Sequence, residues 1–208
     1  TTATLTALST DSLNQLTTTQ FESLSVTQIS GLSTNQYASL STGLARAISS
    51  SQVSSIETRD LHVMSTYSVR ALTTASLVEL TDPQLLSLQT MQVASLTTTQ
   101  VKELTANQVS VLSSNQVRAL GSDQLNSLGT SNMGVLSLAQ LQAVTTEVLS
   151  QLSTTNLRVI TADNWSGLTT GQVSSLTSTQ VQALTNEQLA ALTNGQMANL
   201  TTEQVGWL

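Results

Sequence analysis

The sequence predicts an all-α solenoid of very short capped helices. Three observations predict it: an unbroken eight-residue repeat, a capping pattern inside each repeat, and charges placed as helix ends require. Stepping by eight from Leu8 to Leu208 lands on an aliphatic residue or methionine every time, which gives 25 complete octads without insertion or deletion. Counted from that residue, position 2 is Ser or Thr in 21 of 25 octads, position 5 is Gln in 16, and position 6 is apolar in all. The consensus is Leu-(Thr/Ser)-x-x-Gln-Val-x-x. It is seen in Leu96, Thr97, Gln100 and Val101, and again in Leu176, Thr177, Gln180 and Val181.

Each position has a local reason. Ser or Thr followed three residues later by Gln is a capping box, in which the hydroxyl accepts from the N3 amide and the Gln side chain reaches back to the N-cap amide. The Leu before the cap and the Val at N4 form a hydrophobic staple. A helix start favours anions and its last turn favours cations. Asp11, Asp82, Asp123, Glu147, Asp163, Glu187 and Glu203 occupy positions 3 or 4, and Arg46, Arg70, Lys102, Arg118 and Arg158 occupy position 7, whereas Arg59, Glu22, Glu57, Asp60, Glu79 and Glu103 do not fit. Pro83 falls at position 4, inside the first turn, where a missing amide hydrogen does little harm.

One continuous helix is excluded by geometry, because at 3.6 residues per turn an octad leaves about 80° of drift and the apolar stripe would spiral around the rod. Helices of about six residues, joined by an extended pair at positions 1 and 2, satisfy the pattern. So short a helix is unstable alone, since nucleation is costly, and stacking around a shared Leu/Val core supplies the missing stability. The alternative is a β-solenoid, for which Thr, Val and Gln are suitable residues. Against it, positions 1 and 6 are an odd spacing apart and would point to opposite faces of a strand.

Composition narrows the function. Aromatic residues are 2% and charged residues 9% of the 208-residue chain, while the apolar 39% lies in register, so the tract is ordered rather than low-complexity. A net charge of -6 gives no basic footprint for nucleic acid or an anionic membrane. Cysteine is absent, which removes disulfides, thiolate metal sites and thiol redox chemistry. No apolar run is long enough for a membrane span. The unbroken register argues for one array, residues 1–208. Because that array reaches both termini without polar capping repeats, a segment of a longer repeat protein is expected.

Along the chain, residues 1–39 follow the consensus closely. Residues 40–79 diverge most, with Leu44, Asp60, Ser68 and Ser76 at position 5 and an accumulation of Arg46, Glu57, Arg59, His62, Tyr67 and Arg70. Residues 80–127 are strict, residues 128–167 loosen again with Asn132, Val148, Asn156 and Asn164 at position 5, and residues 168–207 are the most regular. His62 is the only histidine. With Asp60 it offers too few ligands for a metal, and it is expected to be a polar residue near a helix end. Arg46, Arg59 and Arg70 are the candidate partner-binding residues. Trp165 falls at core position 6. The acceptor patterns at Asn164 and Asn199 are of a kind that Ser/Thr-rich sequences produce by accident. Stacked octads would bury Leu and Val and present an uncharged Thr/Ser/Gln surface. Its Gln and Ser/Thr rows would either satisfy backbone groups internally or, exposed, bind glycans, other copies, or an ice or mineral lattice.

The octad resembles the long Leu-Thr-Thr-x-Gln-Val-x-x arrays inside large secreted or surface proteins of Gram-negative bacteria, best over Leu96–Ala119 and Leu168–Trp207. The resemblance implies an extracellular or cell-surface structural segment. The octad also looks like the opening of a transcription-activator-like effector repeat, Leu-Thr-Pro-x-Gln-Val. The second helix and base-reading loop of that longer unit have no counterpart here, and DNA binding is not implied. The expected function is structural, a rigid spacer or fibre-forming element. Its partners would be further copies, end to end or laterally, or flanking repeats, with no enzymatic activity and no cofactor. The alternative is a protein- or glycan-binding module with its recognition patch in residues 40–79.

Overall fold

A computed structural model describes residues 1–207, and among them there are 26 helices of four to six residues and no strand. The fold is the α-solenoid rather than its β rival. The chain forms two compact units, Thr1–Leu104 and Thr105–Leu208, each built on the same plan.

The local structure follows the capping logic. In the helix Thr98–Glu103, Thr97 has extended backbone and its Oγ1 accepts from the Gln100 amide, while Gln100 Oε1 accepts from the Thr97 amide. Thr177 and Gln180 repeat this at the helix Ser178–Ala183. Consecutive helices are separated by an extended pair, as at Leu72 (φ -53, ψ 140) and Thr73 (φ -69, ψ 156). Val101 and Val181 are buried beside Leu96, Leu104 and Leu176. Asp11, Asp82 and Asp163 fall in first turns and Arg46, Arg70, Lys102 and Arg118 in last turns, whereas Glu22 and Glu103 stand at helix C-termini against the trend. Glu187 shows the effect chemically. Hydrogen bonding first to its own backbone amide and then to Thr185 holds its carboxyl below the ordinary range.

What the octad pattern does not contain is the length of a turn. Helices three octads apart stack: Thr42–Arg46 on Thr66–Ala71 in the first unit, Ser114–Ala119 on Leu138–Ala143 in the second. Three short helices therefore make one turn of the solenoid in each unit.

The Gln at position 5 ties successive turns together. Its Oε1 closes the capping box within its own octad, and its Nε2 donates to carbonyls one turn back. Gln84 Nε2 reaches Val53 O at 2.9 Å and Ile56 O at 2.7 Å. Gln140 Nε2 reaches Val109 O at 2.9 Å and Leu112 O at 2.7 Å, and Gln180 Nε2 reaches Leu149 O at 2.9 Å and Leu152 O at 2.8 Å. Those carbonyls lie in the last turn of a helix and in the extended pair that follows it; Val53 O, which already accepts from the Ile56 amide, uses its second lone pair for the rung. One side chain thus satisfies the start of its own helix and the end of another. The expected Gln surface is corrected here: Gln36, Gln84, Gln100, Gln140 and Gln180 are buried, because both ends of each amide are engaged by backbone. The outward surface is rich in Ser and Thr.

Several departures from Gln at position 5 are compensated. Ser68 Oγ donates to Leu40 O at 2.6 Å and Ser76 Oγ to Ile48 O at 2.7 Å, so a hydroxyl carries the rung where the amide is missing. Leu44 carries no polar group, and the Ser41 amide that a Gln there would cap is instead taken by Asn14 Oδ1 at 2.8 Å, from the preceding turn. Asn14 Nδ2 also donates to Ser39 O at 2.9 Å. Asn156 is a side-chain carbon shorter than Gln, and the Ser153 amide is likewise accepted by Asn126 Oδ1 at 2.8 Å. An asparagine at position 7 thus substitutes for a glutamine four octads later. Asn14→Ala should cost about 1–2 kcal/mol by stripping these bonds. Adding Leu44→Gln to that variant should recover roughly half of the loss, by restoring the local box; urea unfolding of the two variants measures the coupling.

Glycine at position 2 tests the limits of the consensus. Gly121 is extended (φ -79, ψ 170), like the Ser and Thr it replaces. Gly129 has φ 72, because the preceding Leu128 stays helical (φ -56, ψ -30) and the chain must reverse at one residue. Gly121→Ser should gain a few tenths of a kcal/mol from a new cap. Gly129→Ser, the same change by sequence, should lose about 1 kcal/mol to left-handed strain. Parallel thermal melts will order the two.

Candidate interaction site

The divergent residues 40–79 lie in the first unit, and the structure separates them into two groups. Arg46 and Arg70 both sit at position 7, on helices that stack directly. They line one open groove of about 330 Å³ with Thr42, Tyr67 and Ala71, a volume within the range of small-ligand sites. An adjoining groove is lined by the same two arginines with Ala71, Leu72, Thr74 and Thr99. Neither arginine makes an ion pair among the described residues. Tyr67 is 75% exposed, and Met91, at the equivalent position of the next helix in the stack, is 71% exposed.

Arg59 is not among the residues lining these grooves. Its Nε is 2.9 Å from Glu57 Oε2 and 3.8 Å from Asp60 Oδ1, so two carboxylates offset its charge. Asp60 is buried at 1% exposure in the place of the rung Gln. A carboxylate cannot donate to the helix-end carbonyls as an amide does. Thr34 Oγ1 donates to Asp60 Oδ1 at 2.6 Å, and Tyr37 OH takes over the donation to Ile29 O at 2.7 Å. Burial first, then the negative charges of Asp60 and Glu57, push the Tyr37 hydroxyl above its ordinary range, so it stays protonated and keeps donating. Sequence inspection had no signal for this arrangement, since Tyr37 reads only as a core residue.

His62 is exposed, with Nδ1 2.8 Å from Ser87 O. A carbonyl only accepts, so Nδ1 carries the proton and the ring acts as another rung between turns. The side chains at Thr6, Asn126 and Gln142 make the same kind of bond, at 2.7, 3.0 and 2.7 Å. No group of three His, Asp or Glu side chains converges as a metal site would require among the described residues, and none of their helices is long and apolar enough to cross a membrane. Trp165 is fully buried, and its Nε1 has no hydrogen-bond partner. Asn164 Nδ2 donates to Leu136 O at 3.2 Å, as a short substitute for the rung Gln.

These features define a repeat protein of the α-solenoid class. Residues 53–90 and 85–122 are each similar to the ALTTAQ repeat. Its letters spell octad positions 8 and 1 to 5, as in Ala183-Leu-Thr-Asn-Glu-Gln188. The matched residues include part of the divergent stretch, where the register persists although the position-5 Gln does not. No curated protein matches the chain.

Proposed function

We propose that this chain is a structural segment, a rigid spacer or fibre-forming element, of an exported bacterial protein displayed at the cell surface. The observation that carries the reading is the rung from the position-5 amide to helix-end carbonyls one turn back. It recurs with the same geometry through both units. An interface made afresh by most octads can be extended by adding octads, and the same groups are suited to receive another copy. The Ser/Thr surface and absence of cysteine suit an exported element that makes few other contacts. The reading assigns no catalysis to any residue; the His62 ring is committed to Ser87.

Negative-stain electron microscopy across a concentration series tests it. Uniform elongated particles are expected. Growth into long fibres with concentration would assign the function to end-to-end stacking, and separate rods at all concentrations would assign it to spacing. Compact particles of no defined length would end both versions.

A further inference from the structure

We propose that the groove around Arg46 and Arg70 binds an acidic saccharide, with the two guanidinium groups on its carboxylate and the Tyr67 ring under a sugar face. The proposal stands independently of the spacer reading.

Two arginines stacked on successive turns repel each other, and an anion between them offsets the repulsion. Neither has a protein carboxylate within ion-pair distance, in contrast to Arg59 a few residues away; Glu22 lines a separate groove with Arg46, on the side away from Arg70. The chain is acidic, at -6, so attraction of an anion here comes from a local pair and not from the overall field. Guanidinium presents a planar fork that matches a carboxylate bidentately.

Two further features select a sugar over an acidic peptide. Tyr67 presents its ring to solvent one helical turn before Arg70, a flat apolar platform next to the cations, with the exposed Thr42 hydroxyl across the groove. The groove also lacks a sheet edge or free backbone row on which an extended peptide could pair. The Arg70 carbonyl, for example, already accepts from Gln100 Nε2 at 3.1 Å.

The test uses the full 208-residue chain and three immobilised polymers: polygalacturonate, its methyl ester, and polyglutamate. Binding to polygalacturonate at low salt is expected, with marked weakening as salt screens the exposed cations. The methyl ester and polyglutamate should bind far less. Arg46→Gln with Arg70→Gln should weaken binding by about tenfold or more, as loss of charge-assisted hydrogen bonds predicts. Tyr67→Ala should weaken it several-fold, and Arg158→Gln should leave it unchanged. Circular dichroism checks that each variant keeps its helices, and the preference of the unaltered chain for free acid over ester decides the anion claim without any variant. Absence of binding, equal binding to the ester, or binding that survives the arginine changes would overturn the proposal. Polyglutamate bound as tightly as polygalacturonate, with no effect of Tyr67→Ala, would replace the sugar with an acidic peptide and overturn it as well.

Discussion

Replacing Gln140 by glutamate is expected to destabilise the second unit by about 4 kcal/mol at neutral pH, and acid is expected to restore most of the loss. Glutamate has nearly the same shape and retains the acceptor for the Ser137 amide, at 2.8 Å in the native chain. It loses the Nε2 donor, leaving the carbonyls of Val109 and Leu112 without that partner and facing a buried carboxylate. Removing one side of a buried polar pair costs about 1–3 kcal/mol, and an uncompensated buried charge about 3–5 kcal/mol. Burial and the facing carbonyls would raise the folded-state pKa of such a glutamate above its ordinary value of roughly 4.3. The penalty is then absent below about pH 4, where folded and unfolded chains are both protonated. It grows as pH rises and is complete above the folded-state pKa. Urea unfolding followed by circular dichroism between acid and neutral pH measures this directly. A variant as stable as the native chain at pH 7 would show that the rung contributes little. Gln140→Ala should lose a similar amount with no comparable dependence on pH.

Trp165→Ala should cost about 3–5 kcal/mol, the range for deleting a fully buried large aromatic side chain. Trp165→Phe should cost far less, on the order of 1 kcal/mol. The reason is specific to this site: Trp165 Nε1 is buried without a partner, so phenylalanine loses volume but no hydrogen bond and removes a desolvated donor. The backbone rung from Gln196 Nε2 to Trp165 O, at 2.9 Å, survives either change. In a solenoid each repeat touches only its neighbours, so the damage from alanine should be local. Hydrogen exchange should show lost protection around Ala162–Gly167 and the helix Asn186–Ala190 that packs on it, with residues 114–127 unaffected. Uniform loss of protection across the unit would mean that it unfolds as one block.

The candidate site was partly legible in the sequence. Arg46 and Arg70 stood out as cations at the same octad position, and the structure stacks them because their helices are three octads apart. Arg59 stood out equally, but only the structure shows Glu57 and Asp60 against it. Tyr67 read as one more unusual residue; its place beside the arginines depends on the turn. The pairing of Asn14 with the Ser41 amide above Leu44, and of Tyr37 with Ile29 beside Asp60, joins residues whose connection no local pattern contains.

The octad by itself determined the short helices, where each begins, and which face carries Leu and Val. Those outcomes follow from bonds spanning three residues and contacts within one helical turn, which sequence spacing writes out directly. Only the tertiary structure decided that three octads make a turn and that the Gln side chain is buried. The turn is set by the backbone angles of the extended pair accumulated over three helices. The Gln amide is buried because its second partner is a carbonyl 28 residues away, as in Gln140 to Leu112. A capping rule predicts one end of that side chain. The other end finds its acceptor only once a full turn has closed.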